Sequence, residues 1–350
     1  MEDEEDFLFA MQLVSGSNLF MVMRAALELD LFEIIAKAGS GVQISAKEIV
    51  SHLPTNNPNA ANMLDRVLGL LSTHSILTSS VTVHENGQPE RFYGLTPRGR
   101  YFVENEDGVS LAPSLLLNLD KALTESWYNV KDAILEGDLA FNRAHGMPVS
   151  EYTKINSRFS QTLSKAMHSY TAIYAKKMVE TYKGFKDLRE VLDVGGGLGV
   201  TIGIITEKYP NIKAINFDLP HVIRTAAATP GVENVAGDMF ESIPNSETIF
   251  MKWILHDWDD EHCLKLLKNC YKALPSEGKV IVVDGILPGE ADTSVGAKVA
   301  CERDVNMLAH IGVKERTEFE LDKLAKGAGF GGMKKVCSVY SYWVMEFYKV

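Results

Sequence analysis

A histidine stands in Met251-Lys252-Trp253-Ile254-Leu255-His256-Asp257-Trp258-Asp259-Asp260-Glu261, just behind an apolar run, Thr248–Trp253, that reads as a strand. Imidazole titrates nearest to neutral pH, so a histidine at the carboxyl end of a sheet strand is placed to take a proton from a bound molecule. Taken alone, His256 reads equally well as a structural histidine. Two acids bear on the choice: Asp284, ending a further strand-like run, and Glu315, in Gly312-Val313-Lys314-Glu315-Arg316-Thr317. A carboxylate beside a histidine selects its tautomer and stabilises its charged form.

A second constellation lies upstream. Val191-Leu192-Asp193-Val194 runs into Gly195, Gly196, Gly197 and Gly199, and a helix-like segment follows from Val200 to Tyr209. Glycines let the backbone approach a ligand, and the N–H groups of a helix start favour polar or anionic groups. Ordinary strand-to-helix turns use glycine too, so the loop needs support. Asp193 precedes it; Asp218 follows the next strand, 23 residues after Gly195, where an acid grips ribose hydroxyls; Asp238-Met239 follows the third and offers an acceptor and a soft apolar surface to an adenine. The spacing is G-x-G-x-G, not the G-x-G-x-x-G of a pyrophosphate loop, and Asp193 would repel a pyrophosphate. It suits a cation such as the α-amino group of S-adenosylmethionine. That cofactor is expected, and an NAD-dependent oxidoreductase is the disfavoured alternative.

These residues need a scaffold, and 350 residues with 46% apolar content suit two domains. After Glu190, strand and helix patterns alternate: strands at 190–194, 214–217, 232–236, 248–253, 279–283, 334–339 and 342–347, and helices at 200–209, 261–274, 295–308 and 317–328. Such alternation predicts a doubly wound α/β sheet with ligands beyond the carboxyl strand ends. Upstream, Phe7 to Ala38 reads as helical with apolar residues on several faces, which calls for cover from a partner subunit and predicts an interlocked homodimer. Helices at Ala46–Leu53, capped by Ser45, and Ala60–Thr73 precede a hairpin, Leu77–Val83 and Arg91–Leu95, turned at Asn86-Gly87. That is a winged-helix-like pattern. Residues 1–100 hold 12 acids against 7 basic residues, and the chain's net charge is −11, so a dimerisation scaffold is favoured over nucleic-acid binding.

Leu115–Glu136 and Asn156–Tyr182 read as long helices separated by a loop from Gly137 to Pro148, the second carrying Phe159, Leu163, Met167 and Tyr170 as a core stripe or a clamp for flat rings. The expected domains are 1–110, helical and dimerising, and 111–350, catalytic, with the core sheet from about 188. Cys263 and Cys270 suit the buried side of one helix, and neither a metal site nor a disulfide framework is expected. The acidic Met1–Asp6 and the lack of any ~20-residue apolar run lead to the expectation of a cytoplasmic protein without membrane contact.

From Phe7 onward the chain resembles the plant caffeic acid O-methyltransferase family, S-adenosylmethionine-dependent enzymes of the class I methyltransferase type with a Rossmann-like sheet. Leu192–Gly197, Ile215–Val222, Gly237–Phe240, Lys252–Cys263 and Lys314–Thr317 carry the likeness. The resemblance implies cofactor contacts at Asp193, Gly195, Gly197, Asp218, Leu219, Asp238, Met239 and Lys252, with Trp258 by the adenine. It implies His256 as the base that makes a phenol a phenolate for in-line methyl transfer, Asp284 and Glu315 as the acids holding it, no metal, and a dimer whose N-terminal segment enters the partner's substrate pocket.

Around the implied acceptor pocket, Asn118, Phe159, Met167 and Met307 match the family, and Leu123 and Asp257 complete the set. Leu163 replaces an aromatic residue, Thr153 and Tyr170 each a histidine, Asn306 an aliphatic residue and Ile311 an asparagine; Asp284 replaces the Glu of the lignin-pathway members. A small aromatic substrate other than caffeic acid is therefore expected. Methylation of an aromatic amine or ring nitrogen stays open, and a non-enzymatic winged-helix dimer is the remote alternative.

Overall fold

The computed structural model describes residues 2–349, with side chains from residue 4, so Met1 of the acidic run lies outside the described residues. Two compact units emerge: the segment ending at Thr124 together with Asn156–Tyr170, and Glu125–Ile155 together with the chain from Thr171. Residues 111–124 and the first half of one long helix thus group with the N-terminal unit, beyond the boundary expected at 110.

The first unit opens with α1 (Glu2–Val14), α2 (Gly16–Glu28) and α3 (Leu31–Lys37), so the helical stretch expected over 7–38 is broken twice, the second time at Asp30 with φ +53°. Strand β1 (Ile44–Ser45) leads into α4 (Ala46–Ser51), whose first turn is capped by the Ser45 hydroxyl accepting from the Glu48 N–H at 3.3 Å. Helix α5 (Ala60–Thr73) buries Leu64, Leu68 and Leu71 on one face. Strands β2 (Leu77–Val83) and β3 (Pro89–Leu95) pair antiparallel around Gly87 at φ +78°, and β1 adds to the free edge of β3. Phe32, Ile35, Leu68 and Tyr93 fill the core beneath. Apolar side chains of α1 stay uncovered: Phe7 is 65% exposed, Phe9 63% and Leu13 69%. Among the described residues no single helix is long and apolar enough to cross a membrane; Glu4–Val14 and Gly16–Glu28 reach that length only together, across a 47° bend.

The helix expected over 115–136 is three: α6 (Ala112–Asn118), α7 (Lys121–Trp127) and α8 (Val130–Glu136). Asp120 explains the first break. Its Oδ1 accepts from the Ala122 N–H at 2.9 Å, starting a new helix, and its buried carboxylate is gripped by Arg158. The loop expected at 137–148 contains α9 (Ala140–His145), and α10 (Val149–Ile155) follows before the long α11 (Ser157–Thr181).

In the second unit the remaining elements are β4 (Glu190–Val194), α12 (Val200–Lys208), β5 (Lys213–Asp218), α13 (Pro220–Ile223), β6 (Val232–Ala236), β7 (Thr248–Lys252), α14 (Asp260–Ala273), β8 (Lys279–Asp284), β9 (Ile286–Leu287), α15 (Val295–His310), β10 (Arg316–Thr317), α16 (Glu318–Gly327), β11 (Gly332–Val339) and β12 (Tyr342–Tyr348). Seven strands form one sheet in the order β11-β12-β8-β7-β4-β5-β6, parallel from β8 to β6, with β12 and β11 antiparallel at the edge. Parallel strands covered on both faces must be apolar throughout, and Val280, Ile281 and Val282 of β8 are wholly buried. Cys263 and Cys270 pack inward from α14 as free thiols. The strand order reverses at β4, which opens the ligand crevice of such sheets beside the carboxyl ends of β4, β5 and β7.

Candidate active site

Asp193 lies at that reversal, in register with Phe250 of β7 and Asn216 of β5. The loop after it turns through Gly195, Gly197 and Gly199, all with left-handed φ between +60° and +81°. Gly196 is needed for a different reason: a Cβ there would run into Asn216 Oδ1 and come within 2.8 Å of Asp193 Oδ2. Asp218 pins the loop from the neighbouring strand, Oδ2 accepting from the Gly197 N–H at 2.8 Å and Oδ1 from Leu219 N–H at 2.6 Å. Asn216, buried inside β5, donates to the Gly197 carbonyl at 3.1 Å and to Asn234 at 3.0 Å. The sequence reading missed it, although an amide inside a parallel strand is itself a signal, because such a group must be satisfied.

Asp193 Oδ2 is buried and accepts no hydrogen bond among the described residues. Burial pushes this carboxyl up to about 7, Lys252 pulling back and Asp218 adding to the rise. Lys252 is in turn pushed down to about 7 by burial, opposed by Asp193 and Asp284. Its ammonium lies 3.2 Å from the centre of the Trp253 ring. An orphaned buried carboxylate oxygen fits a cationic ligand. Beyond β6, Asp238 accepts from the Phe240 N–H at 2.8 Å and the Met239 carbonyl accepts from Asn269 at 3.0 Å. Phe240, Trp258 and His262 form a ring cluster, Phe240 and Trp258 edge to face with centroids 4.6 Å apart.

His256 sits in a one-turn 3-10 helix, Leu255–Asp257, behind Trp253, whose φ of +60° swings the chain off β7. Arg316, 2% exposed in its side chain, clamps that turn by donating to the carbonyls of Leu255 and Trp258 and to Asp260. Asp284 adds a second hold, Oδ2 accepting from Leu255 N–H at 3.1 Å. The imidazole, 12% exposed, presents Nδ1 to Glu315 Oε1 at 3.3 Å and to Asp284 Oδ1 at 3.4 Å; Nε2 lies 3.6 Å from Asp257 Oδ1. The parallel pairing of Arg316 with Ile286 brings Glu315 alongside Gly285, and Thr317 closes a capping box with Glu320 at the start of α16.

Burial alone would lower the proton affinity of His256, but Asp284, Glu315 and Asp257 outweigh it and raise the imidazole to about 9. Burial also pushes Asp284 well above the usual carboxylate range, whereas Glu315, although buried, is held below it by His256 and Arg303. Arg303 was not foreseen: it stands within Glu302-Arg303-Asp304 on α15, its side chain 13% exposed and paired with Glu315.

The expected acceptor residues fall in both units. Asn118 on α6, Leu123 on α7, and Phe159, Leu163, Met167 and Tyr170 on α11 belong to the first; Asp257, Asn306, Met307 and Ile311 belong to the second. Phe159 is buried, so that end of the α11 stripe is core, whereas Met167 is 46% exposed. A groove of about 930 Å³ between β9, the start of α15 and the β11–β12 edge contains none of the expected site residues.

Residues 127–331 match an O-methyltransferase domain and residues 11–105 an O-methyltransferase dimerisation domain. The chain is 55% identical over 350 residues to caffeic acid 3-O-methyltransferase of Medicago sativa, covering 100% of this chain and 96% of that one. The chain belongs to the plant caffeic acid O-methyltransferase family. The corresponding Populus kitakamiensis enzyme is also 55% identical with the same coverage. Among solved structures, the calicheamicin-biosynthesis methyltransferase CalO1 in its SAH-bound form superposes with TM-score 0.83 at 22% identity over 100% of both chains. Human N-acetylserotonin methyltransferase, in complex with SAM, gives 0.79 at 20% identity over 98% and 97% of the two chains. As a family member the protein is an O-methyltransferase, and its N-terminal domain is one that self-associates.

Proposed function

We propose that this enzyme transfers the methyl group of S-adenosylmethionine to a phenolic hydroxyl of a small plant specialised metabolite, with His256 as general base. The observation that carries the reading is the imidazole at the end of β7, held through Nδ1 by two buried carboxylates and so left with Nε2 as its proton-accepting nitrogen. When bound, the cofactor supplies an electrophilic sulfonium methyl. Asp193 would hold its cationic amino group, Asp218 the ribose hydroxyls, and Met239 and Trp258 the adenine, with Asp238 as acceptor. Lys252 and Leu219, at the carboxyl ends of β7 and β5, and the loop glycines Gly195 and Gly197 would complete the same site.

A phenol with an ordinary pKa near 10 is a poor nucleophile at neutral pH, and an imidazole raised to about 9 accepts its proton almost isoenergetically. Asp284 and Glu315 stabilise the imidazolium so formed. Positioning the oxygen in line with the methyl supplies much of the rest, up to roughly 7–11 kcal/mol in ideal geometry. The reading needs no metal. His256, Asp284 and Glu315 offer ligating atoms within 4.8 Å of one another, but Arg303 already supplies positive charge at Glu315. We also read the assembly as a homodimer in which the exposed apolar residues of α1 are covered by the partner.

Incubation with labelled S-adenosylmethionine and a panel of caffeic acid, flavonoids, coumarins, stilbenes and nitrogen heterocycles, products located by NMR, tests the reading. Methylated phenols formed by the wild type and lost in His256→Ala are expected. Methylation confined to nitrogen, undiminished in His256→Ala, would replace the phenol with an amine acceptor.

A further inference from the structure

We propose that Arg303 is a positioning residue that sets the proton affinity of His256 by sharing Glu315 with it. The inference rests on the histidine cluster described above and concerns a residue outside the expected site.

The geometry is specific. Arg303 reaches from α15 to donate through Nε to Glu315 Oε1, the same oxygen that lies 3.3 Å from His256 Nδ1. Its Nη1 donates to Ser341 Oγ at 3.2 Å, which in turn lies 3.2 Å from Tyr174 Oη. The guanidinium carbon stacks 4.0 Å from the centre of the Tyr342 ring. Three contacts, from the segment before β10 and from the start of β12, therefore lock the planar fork in one orientation. Gly285, next to Asp284, makes room for the pair: a Cβ there would run into both Arg303 Nη2 and Glu315 Oε2. The Glu315 side chain is wholly buried, so its charge has no water to lean on.

Three carboxylates face the imidazole: Asp257 from its own turn, Asp284 from β8 and Glu315 from the segment before β10. The buried cations of this neighbourhood are Lys252, which faces Asp193 and Asp284, Arg316, which is engaged by the Leu255 and Trp258 carbonyls and Asp260, and Arg303, which alone of the three pairs with Glu315 among the described residues. Three anions around one imidazole would hold its proton so firmly that too little neutral base remained to accept one from a substrate. A guanidinium on the shared Glu315 oxygen withdraws part of that anion from the imidazole. It also keeps Glu315 ionised and aligned, so that the proton affinity falls while the tautomer stays fixed. Ser341 and Tyr342 hold the guanidinium, so the bias is built into the β12 end of the sheet.

The test is titration of the His256 imidazole by NMR in the dimeric enzyme carrying isotope-labelled histidine, its resonance identified by loss in His256→Gln. Arg303→Met is expected to raise the His256 midpoint by about one unit, because the cluster loses a nearby cation whichever of its members holds the proton. Arg303→Lys, which keeps the charge, is expected to titrate close to wild type. Where Arg303→Met does not fold, Arg303→Gln carries the same test, its amide still reaching Glu315 without a charge. In kinetics with S-adenosylmethionine and whichever phenol of the panel the wild type methylates, the acid limb of kcat/KM moves up with the NMR midpoint, costing about tenfold at neutral pH. An unmoved His256 midpoint in the neutral variants, or an equal displacement in Arg303→Lys, overturns the inference. If the midpoint moves while His256→Gln retains full activity, the general-base reading fails and the tuning by Arg303 stands.

Discussion

Asp284 holds both His256 and the turn that carries it: one carboxylate oxygen lies 3.4 Å from His256 Nδ1, and the other accepts the backbone N–H of Leu255 at 3.1 Å. The shorter acid therefore fixes the ring and the turn that carries it together. Asp284→Asn keeps the shape and removes the charge, so the imidazolium is less stabilised. Its kcat should fall about 10–100-fold. The acid limb should also move to lower pH, because a cation that loses an anion gives up its proton more readily. Steady-state rates measured across pH check both effects.

The pH dependence of the wild type follows from the same contacts. A base raised to about 9 is competent only when deprotonated, so kcat/KM should rise about tenfold per unit up to the neighbourhood of pH 9 and then level off. His256→Gln should lose that limb and about 10²–10⁴ in rate. A flat profile below pH 8 in the wild type would sink the assignment.

Asp193 is predicted to trade stability for binding. Its folded pKa, about 7, lies above the unfolded value of about 3.9, the reverse of a paired carboxylate. Folding is therefore opposed by its ionisation, with a penalty that grows as pH rises from about 4 through 7 and stays in full above it. Asp193→Asn, without cofactor, should melt no lower than wild type at pH 8, while its affinity for S-adenosylhomocysteine drops at least about tenfold, the loss expected for a charged hydrogen bond. Thermal melts and calorimetry decide the two halves separately.

Gly196→Ala should damage the glycine loop without any backbone strain, purely because Asn216 and Asp193 occupy the space of its Cβ. We expect a loss of about 1–3 kcal/mol in unfolding free energy and a larger proportional loss in cofactor affinity. Denaturant unfolding and calorimetry report these.

The outer face of α1 carries Phe9 at 63% and Leu13 at 69% exposure, a poor surface to leave in water. Substituting both by Asp should weaken self-association and shift the sedimentation profile toward monomer. An unchanged dimer would mean that α1 is not part of the interface.

Much of this architecture was legible in the chain. The limits of α5, β2, β4 and β6 agree with the expected ones because apolar periodicity, caps and glycines all act within a few residues. The helix expected at 115–136 was not legible as three, since its break depends on Asp120 meeting Arg158, 38 residues away. Arg303 was illegible for the same reason. A charged triplet on a helix says nothing about a glutamate brought alongside by a two-residue parallel pairing of β9 and β10.

By itself, then, the sequence determined the alternating sheet, the glycine loop, the strand-end acids and the histidine among them, because each is written in local spacing. Only the tertiary structure decided that one oxygen of Glu315 serves both His256 and Arg303, and that one Asp193 oxygen is buried with no hydrogen-bond partner among the described residues. Proton affinity and charge depend on which groups share a buried volume, and that is settled by packing between segments distant in the chain.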